Sequence, residues 1–269
     1  MAKYKKKRAR ELQHDRFRDT TMGFFDRLGD ALEGKGRTIL YAIGGVLLAA
    51  ILVFGFVKWR HRKADEAQQA LGRAITITKA PVLATPVAGN NELTFPSEVE
   101  RAQKAIAEFE KVAAKYGDPY RSESLYFIAS NRLVLDRPKG LSELTQLTNS
   151  NVTEVATLSK FALAQAKESD GQFDEAAKLY TEIVKLNSPT VSPETANLRL
   201  AKVYEKQGKK KEAADLLFNI VDASRKAKGA DNQSIPTSAA AREAADELQK
   251  LDPDRYAQLP PETPPVLAG

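Results

Sequence analysis

The strongest pattern along the chain is a run with no polar break. From Ile39 to Val57 it reads I-L-Y-A-I-G-G-V-L-L-A-A-I-L-V-F-G-F-V, 19 residues without a charged side chain. A helix of that length reaches roughly 28 Å at about 1.5 Å per residue, close to the hydrocarbon thickness of a bilayer. Core helices of soluble proteins keep a polar face, and this stretch has none. Arg37 stands before it, and Lys58, Trp59, Arg60, Arg62 and Lys63 follow it. Long basic side chains reach lipid phosphates, and Tyr41 and Trp59 are amphipathic rings suited to an interface. The run exceeds the apolar core of a secretory leader, about 7–15 residues, and no small-residue cleavage site follows it. Residues 38–59 therefore read as one permanent transmembrane helix.

Outside this stretch, polar and apolar positions alternate with helical spacing. Residues 1–37 form a basic tail in which Phe17, Phe24, Phe25, Leu28 and Leu32 fall near one face, the pattern of a short interfacial helix. Residues 60–96 combine a juxtamembrane helix, with Ala64, Ala67, Leu71, Ala74 and Ile75 in a stripe, and a linker holding three Pro, one Gly and two Asn. Residues 97–252 then read as consecutive helices. Ser97-Glu98-Val99-Glu100 is a capping box opening the first, and Asp118-Pro119 opens the second. Asp136-Arg137-Pro138 closes the second, and a short helix follows over 139–149. Further helices are expected over 152–169, 171–187, from Ser192-Pro193 to Gln207, 209–227 and 237–251. Residues 253–269 are expected to be a disordered tail, since four Pro occur in eleven residues from Leu259. No useful period-2 run occurs, so the fold class is all-α.

Two of these hairpins repeat. Leu163-Ala164, Gly171, Glu175-Ala176-Ala177, Tyr180 and Ile183 match Leu200-Ala201, Gly208, Glu212-Ala213-Ala214, Leu217 and Ile220, always 37 residues apart. The pattern resembles the tetratricopeptide repeat (TPR), a helix pair of about 34 residues, with the extra residues in the loop Ser188–Pro193. Ala105 and Phe109, and Ile128-Ala129, suggest an earlier, weaker copy. The resemblance implies an N-terminal transmembrane helix followed by a TPR-like helical-hairpin solenoid. In such a solenoid the first helix of each pair lines a concave surface. Counted from the two turns, that surface would carry Leu158, Phe161, Gln165 and Glu168, then Thr195, Leu198, Lys202 and Glu205. The Lys/Asn clamp of TPR domains that bind acidic C-terminal peptides is not matched.

A wider resemblance spans residues 10 to 225. It is carried by E-L-x-H-D-R-F (Glu11 to Phe17), the single anchor, A-L-G-x-A (Ala70 to Ala74) and E-R-x-x-K-A-I-x-E-F (Glu100 to Phe109). The order resembles bacterial TPR-like inner-membrane proteins grouped with the ancillary subunit of the Sec translocon. That resemblance implies a single-pass protein of the bacterial inner membrane, N-terminus cytoplasmic and helical domain periplasmic. It also implies partners among the translocon, periplasmic chaperones and exported proteins. A scaffold of a cell-envelope complex and a cytoplasm-facing membrane receptor are the rival readings.

Charge narrows the partners. Of the chain's net +6, residues 1–37 carry +5 and residues 58–63 carry +4, so residues 64–269 carry −3. The basic pI thus belongs to the membrane flanks, beside Ile39–Val57, where the bilayer is the expected partner. The large domain suits no nucleic acid. Orientation is not decided by flanking charge: Arg18, Arg27, Lys35 and Arg37 precede the anchor and Lys58, Arg60, Arg62, Lys63 and Arg73 follow it. The chain has no Cys, and its two His, His14 and His61, both lie in the flanks. No catalytic, cofactor or metal motif is found, so no enzyme, cofactor or metal ligand is expected. Gly44-Gly45 would allow close helix contact in a homo-oligomer.

Overall fold

Small residues set how closely these helices pack, and the computed structural model shows where they fall. It describes residues 36–83, 93–229 and 235–262. Ten helices lie within them: α1 (Gly36–Lys79), α2 (Glu98–Lys115), α3 (Tyr120–Leu135), α4 (Arg137–Leu147), α5 (Thr153–Ser169), α6 (Phe173–Leu186), α7 (Pro193–Lys206), α8 (Lys210–Lys226), α9 (Ala239–Leu251) and α10 (Pro253–Tyr256). The one β-pairing among the described residues is a bridge between Val82 and Phe95. The fold is an all-α array of paired helices, TPR-like in its repeat. The proposed interfacial helix around Phe17–Leu32 lies outside the described residues.

The chain divides into two units, Met1–Asp65 and Glu66–Gly269. In the first, the large apolar side chains from Tyr41 to Val57 are 44–75% exposed. One helix in the described chain is long and apolar enough to cross a membrane.

In the second unit, the last turns of α1 are core. Ala67, Leu71 and Ala74 are buried, and the latter two pack with Ala105, Ile106, Phe109 and Val112 of α2 and Ile128 of α3. Phe109 stacks on Phe127 with centroids 4.8 Å apart. Residues expected to be juxtamembrane and linker thus begin the helix array. Arg101 donates to the Ala80 carbonyl at 3.2 Å, and Leu83 and Phe95 pair through their backbones, tying the segment after α1 to α2.

The helix starts follow local chemistry. Ser97 Oγ accepts from the Glu100 amide at 3.1 Å, and Ser192 Oγ from the Thr195 amide at 3.1 Å. Asp136 serves both sides of its turn: it ends α3 and caps α4 by accepting from the Lys139 amide at 3.1 Å. Asp118 Oδ1 accepts from the Ser122 amide at 3.2 Å, one turn into α3.

The 37-residue repeat is reproduced atom for atom at the turns. Gly171 and Gly208 have φ of +73° and +76°, a left-handed backbone that costs glycine nothing. The next amides, of Gln172 and Lys209, donate 2.9 Å bonds to the Lys167 and Tyr204 carbonyls. Ala176 and Ala213 are fully buried, and Tyr180 and Leu217 lie in the core four residues on. The same small-then-large step occurs in α2, with Ala105 and Phe109, and in α4, with Gly140 and Leu144, all of them buried. Gly140 therefore takes the place of the close-approach alanine. The cores form three clusters: α1–α2–α3, α5–α6–α7, and α7–α8–α9 with Leu259.

The end of the chain also departs from expectation. Residues 253–262 fold back: α10 is capped by Asp252, Leu259 is buried against α8 and α9, and Arg225 donates to the Pro260 carbonyl. Residues 263–269 lie outside the described residues.

A Cβ at Gly140 would meet the Leu133 amide nitrogen at 2.8 Å and the Ala129 carbonyl at 3.0 Å. Gly140→Ala is expected to cost about 1–3 kcal/mol and lower the thermal midpoint by several degrees. Gly117→Ala, with open space around the added carbon, is the control and should melt within about 0.5 kcal/mol of the parent. Equal midpoints for the two variants would remove the close-approach role of Gly140.

Candidate protein-interaction face

Charged side chains bridge the first helices α5, α7 and α9 of successive pairs. Glu168 on α5 accepts from Lys206 on α7 at 2.8 Å. Lys202 on α7 pairs with Glu243 on α9, and this bond holds the Glu243 carboxyl below the usual range. Glu194 on α7 accepts from Ser238, the N-cap of α9, at 2.7 Å. Exposed pairs of this kind contribute about 0–1 kcal/mol each, so they set register more than stability.

The eight residues expected on this face divide by environment. Gln165 and Glu205 are exposed. Leu158 and Phe161 are half-buried against the α5–α6–α7 core, where Phe161 meets the Tyr180 ring edge-on with centroids 5.8 Å apart. Thr195 is engaged at the α7 cap, its Oγ1 2.9 Å from Ser192 Oγ. Leu198 is only 3% exposed and belongs to the α7–α8–α9 core. Glu168 and Lys202 take part in the bridges above. Lys202, Glu205, Lys206 and Glu247 line one recess of about 370 Å³. Lys206, Glu194, Glu243 and Glu247 were not anticipated. Their signal is a register one: each bridge joins first helices of adjacent pairs, which needs the partner helix to be placed.

Glu168 also links the face to the core. It accepts from the Tyr180 hydroxyl at 3.1 Å. Burial, and then the Glu168 charge and this bond, push the Tyr180 phenol far above its ordinary range.

A second recess, of about 410 Å³, was not anticipated. Ala113 of α2, Leu125 and Ile128 of α3 and Leu147 of α4 give it apolar walls, and Glu110, Arg132 and Glu143 give it charge. Arg132 Nε lies 2.8 Å from Glu143 Oε2 without the alignment of a hydrogen bond, and Arg132 also lies 3.9 Å from Glu110. Nearby, Arg137 locks α4 onto the end of α5: its guanidinium reaches Asp170 at 2.7 Å and the Ala166 carbonyl at 3.0 Å. A cation there complements the helix C-terminus.

These recesses suit side chains of a partner protein. No grouping of three or more His, Cys, Asp or Glu able to hold a metal occurs among the described residues.

No family model matches the sequence, and no curated protein matches it. Two solved structures are similar: the TPR-like repeats of a putative kinesin light chain from Podosopora anserina, and a single-substitution variant of the same repeats. Each is 16% identical and covers 72% of this chain and 88% of its own, with TM-scores of 0.48 and 0.49. At that level the fold assignment rests on the helices themselves.

The wider resemblance to the bacterial inner-membrane family grouped with the Sec translocon is corrected by these findings. No model of any such family matches, and no curated protein does. The reason is physical. Ala74, Ala105 and Phe109, which carried much of it, are fully buried contacts that any array of paired helices needs. Glu11 to Phe17 lies outside the described residues. The translocon, periplasmic chaperones and exported proteins entered through that resemblance, and nothing in the fold specifies them.

The Tyr180 environment gives a pH dependence. Its folded pKa lies above the unfolded value of about 10, so its contribution is fully present below pH ~10 and is lost as pH rises further. In urea titrations from pH 8 to 11, the parent should lose stability more steeply than Tyr180→Phe, by up to about 1.4 kcal/mol per pH unit. Parallel pH profiles for the two proteins would show that Tyr180 is not the group responsible.

Proposed function

We propose that this protein is a membrane-anchored scaffold: α1 fixes it in a bilayer, and the paired-helix unit holds a protein partner beside that bilayer. The observation that carries the reading is the stretch Tyr41–Val57, whose large apolar side chains stand exposed while the comparable residues of the second unit are mostly buried. A water-exposed apolar surface of this extent is stable only when lipid or protein covers it. The uncharged run that contains it, Ile39–Val57, has 19 residues and matches one crossing.

Partner binding draws on the mixed recesses. A partner's apolar side chain fits between Ala113, Leu125, Ile128 and Leu147, and polar groups meet the ion pairs at its rim. The first-helix face, with Gln165, Glu168, Lys202 and Glu205 along α5 and α7, offers a second, more polar surface. Anchorage adds effective concentration to such modest contacts, because a partner in the same membrane meets the recess at short range. A fixed partner suits this arrangement better than a stream of varied clients, since the bridges between first helices and the Arg137 lock hold the face rigid.

Membrane fractionation with an alkaline wash tests the anchor. The full chain should stay in the pellet, and a chain with Leu47→Arg, Leu48→Arg and Leu52→Arg should be released by at least tenfold. Crosslinking in intact membranes tests the scaffold: a few stoichiometric partners are expected, and Leu125→Arg should cut their yield severalfold. A broad spread of substoichiometric products would instead indicate client handling. Protease added to sealed membranes of known orientation assigns the face that residues 66–262 occupy.

A further inference from the structure

We propose that Lys58–Lys63 forms a collar that binds anionic phospholipid headgroups, so that the anchor selects acidic lipid neighbours. The proposal rests on the membrane reading of α1 and adds to it the class of lipid. Lys58, Arg60, His61, Arg62 and Lys63 are all exposed on one continuous helix. At about 100° per residue, Lys58, Arg62, Lys63 and Arg60 point at roughly 0°, 40°, 140° and 200°, with His61 near 300°. The cations therefore cover a little more than half of the helix circumference, and His61 stands in the remaining gap. Their axial spread is about 7.5 Å, which matches a headgroup layer of roughly 5–7.5 Å on each side of the hydrocarbon. The segment holds no acid; Asp65 and Glu66 begin only after it.

A second observation fixes its depth. Phe56, Trp59 and Lys63 form a ladder up one face. The Phe56 and Trp59 rings have centroids 6.0 Å apart, and the Lys63 ammonium lies 4.2 Å above the Trp59 ring. Polarity thus rises from hydrocarbon to amphipathic ring to cation over about seven residues, as it does from acyl chain to phosphate. The indole and ammonium are already paired, so Lys63 is held at phosphate height. Residues 64–269 carry a net −3, so the net positive charge that follows the apolar run is confined to this segment.

Trp59 is the chain's single tryptophan and reports on its own lipid neighbours. The full chain is placed in mixed bilayers of phosphatidylcholine and phosphatidylglycerol at equal mole fraction, with bromine on the acyl chains of one lipid or the other. Brominated phosphatidylglycerol should quench Trp59 about twofold more strongly than brominated phosphatidylcholine. The preference should vanish in the variant Lys58→Gln, Arg60→Gln, Arg62→Gln, Lys63→Gln and at high salt. It should persist in Lys58→Arg, Arg60→Lys, Arg62→Lys, Lys63→Arg, which keeps the charge. Equal quenching by the two lipids in the native chain, or a preference that survives the glutamine variant, overturns the collar while leaving the anchor intact. Absence of quenching by either lipid, together with failure to float with vesicles, overturns the anchor reading itself.

Discussion

Everything in the second unit depends on how near one helix axis can come to the next. In each pair the second helix brings a residue with little or no side chain against its neighbour, and four positions later a bulky apolar one. Ala105 and Phe109, Gly140 and Leu144, Ala176 and Tyr180, and Ala213 and Leu217 are four statements of one rule. The small residue sets the distance, and the large one fills the space between successive pairs. Because each pair leaves apolar surface for the next, no pair is stable alone, and the core is continuous only through stacking.

Much of this was legible because turns announce themselves. Gly171 and Gly208 occupy left-handed backbone that other residues adopt at a cost, so the two hairpins around them carry the same signature 37 residues apart. The pair α3–α4 reads as two helices and matches the repeat only at Ile128-Ala129, for two identifiable reasons. Its turn runs through Asp136 with no glycine, and Gly140 stands where the other copies have alanine, so a glycine that makes a close contact reads as a helix breaker. The last turns of α1 read as a helix with an apolar stripe but not as part of the array, because the long apolar run before them hides where the core begins. Ala67, Leu71 and Ala74 share a stripe that lipid or protein core would accept, and only the position of α2 decides.

The first-helix face can be counted from the turns as a direction and less so as a set of contacts. Counting from the turns places residues on α5 and α7, yet separates Gln165 from Leu198 only once the neighbouring helix is known. Leu198 is core because α9 lies over it. Glu168 has its bonding decided by two groups remote in sequence, Tyr180 and Lys206. Such dual contacts couple a surface carboxylate to a buried phenol, and a single-chain pattern does not encode them. The recess beside Arg132 depends on three helices at once and leaves no periodic trace.

The return of the chain over α8 and α9 has a consequence for assembly. Arrays of stacked helix pairs have a lateral surface that could accept another pair indefinitely, as an open filament would. Here Leu259 occupies part of that surface, and Tyr256 and Arg225 stack beside it with the ring centroid 5.7 Å from the guanidinium carbon. Proline at 260 and 261 offers no amide donor with which a further helix might begin hydrogen bonding. The terminal segment thus covers apolar surface of the last core cluster that a further helix pair would otherwise meet.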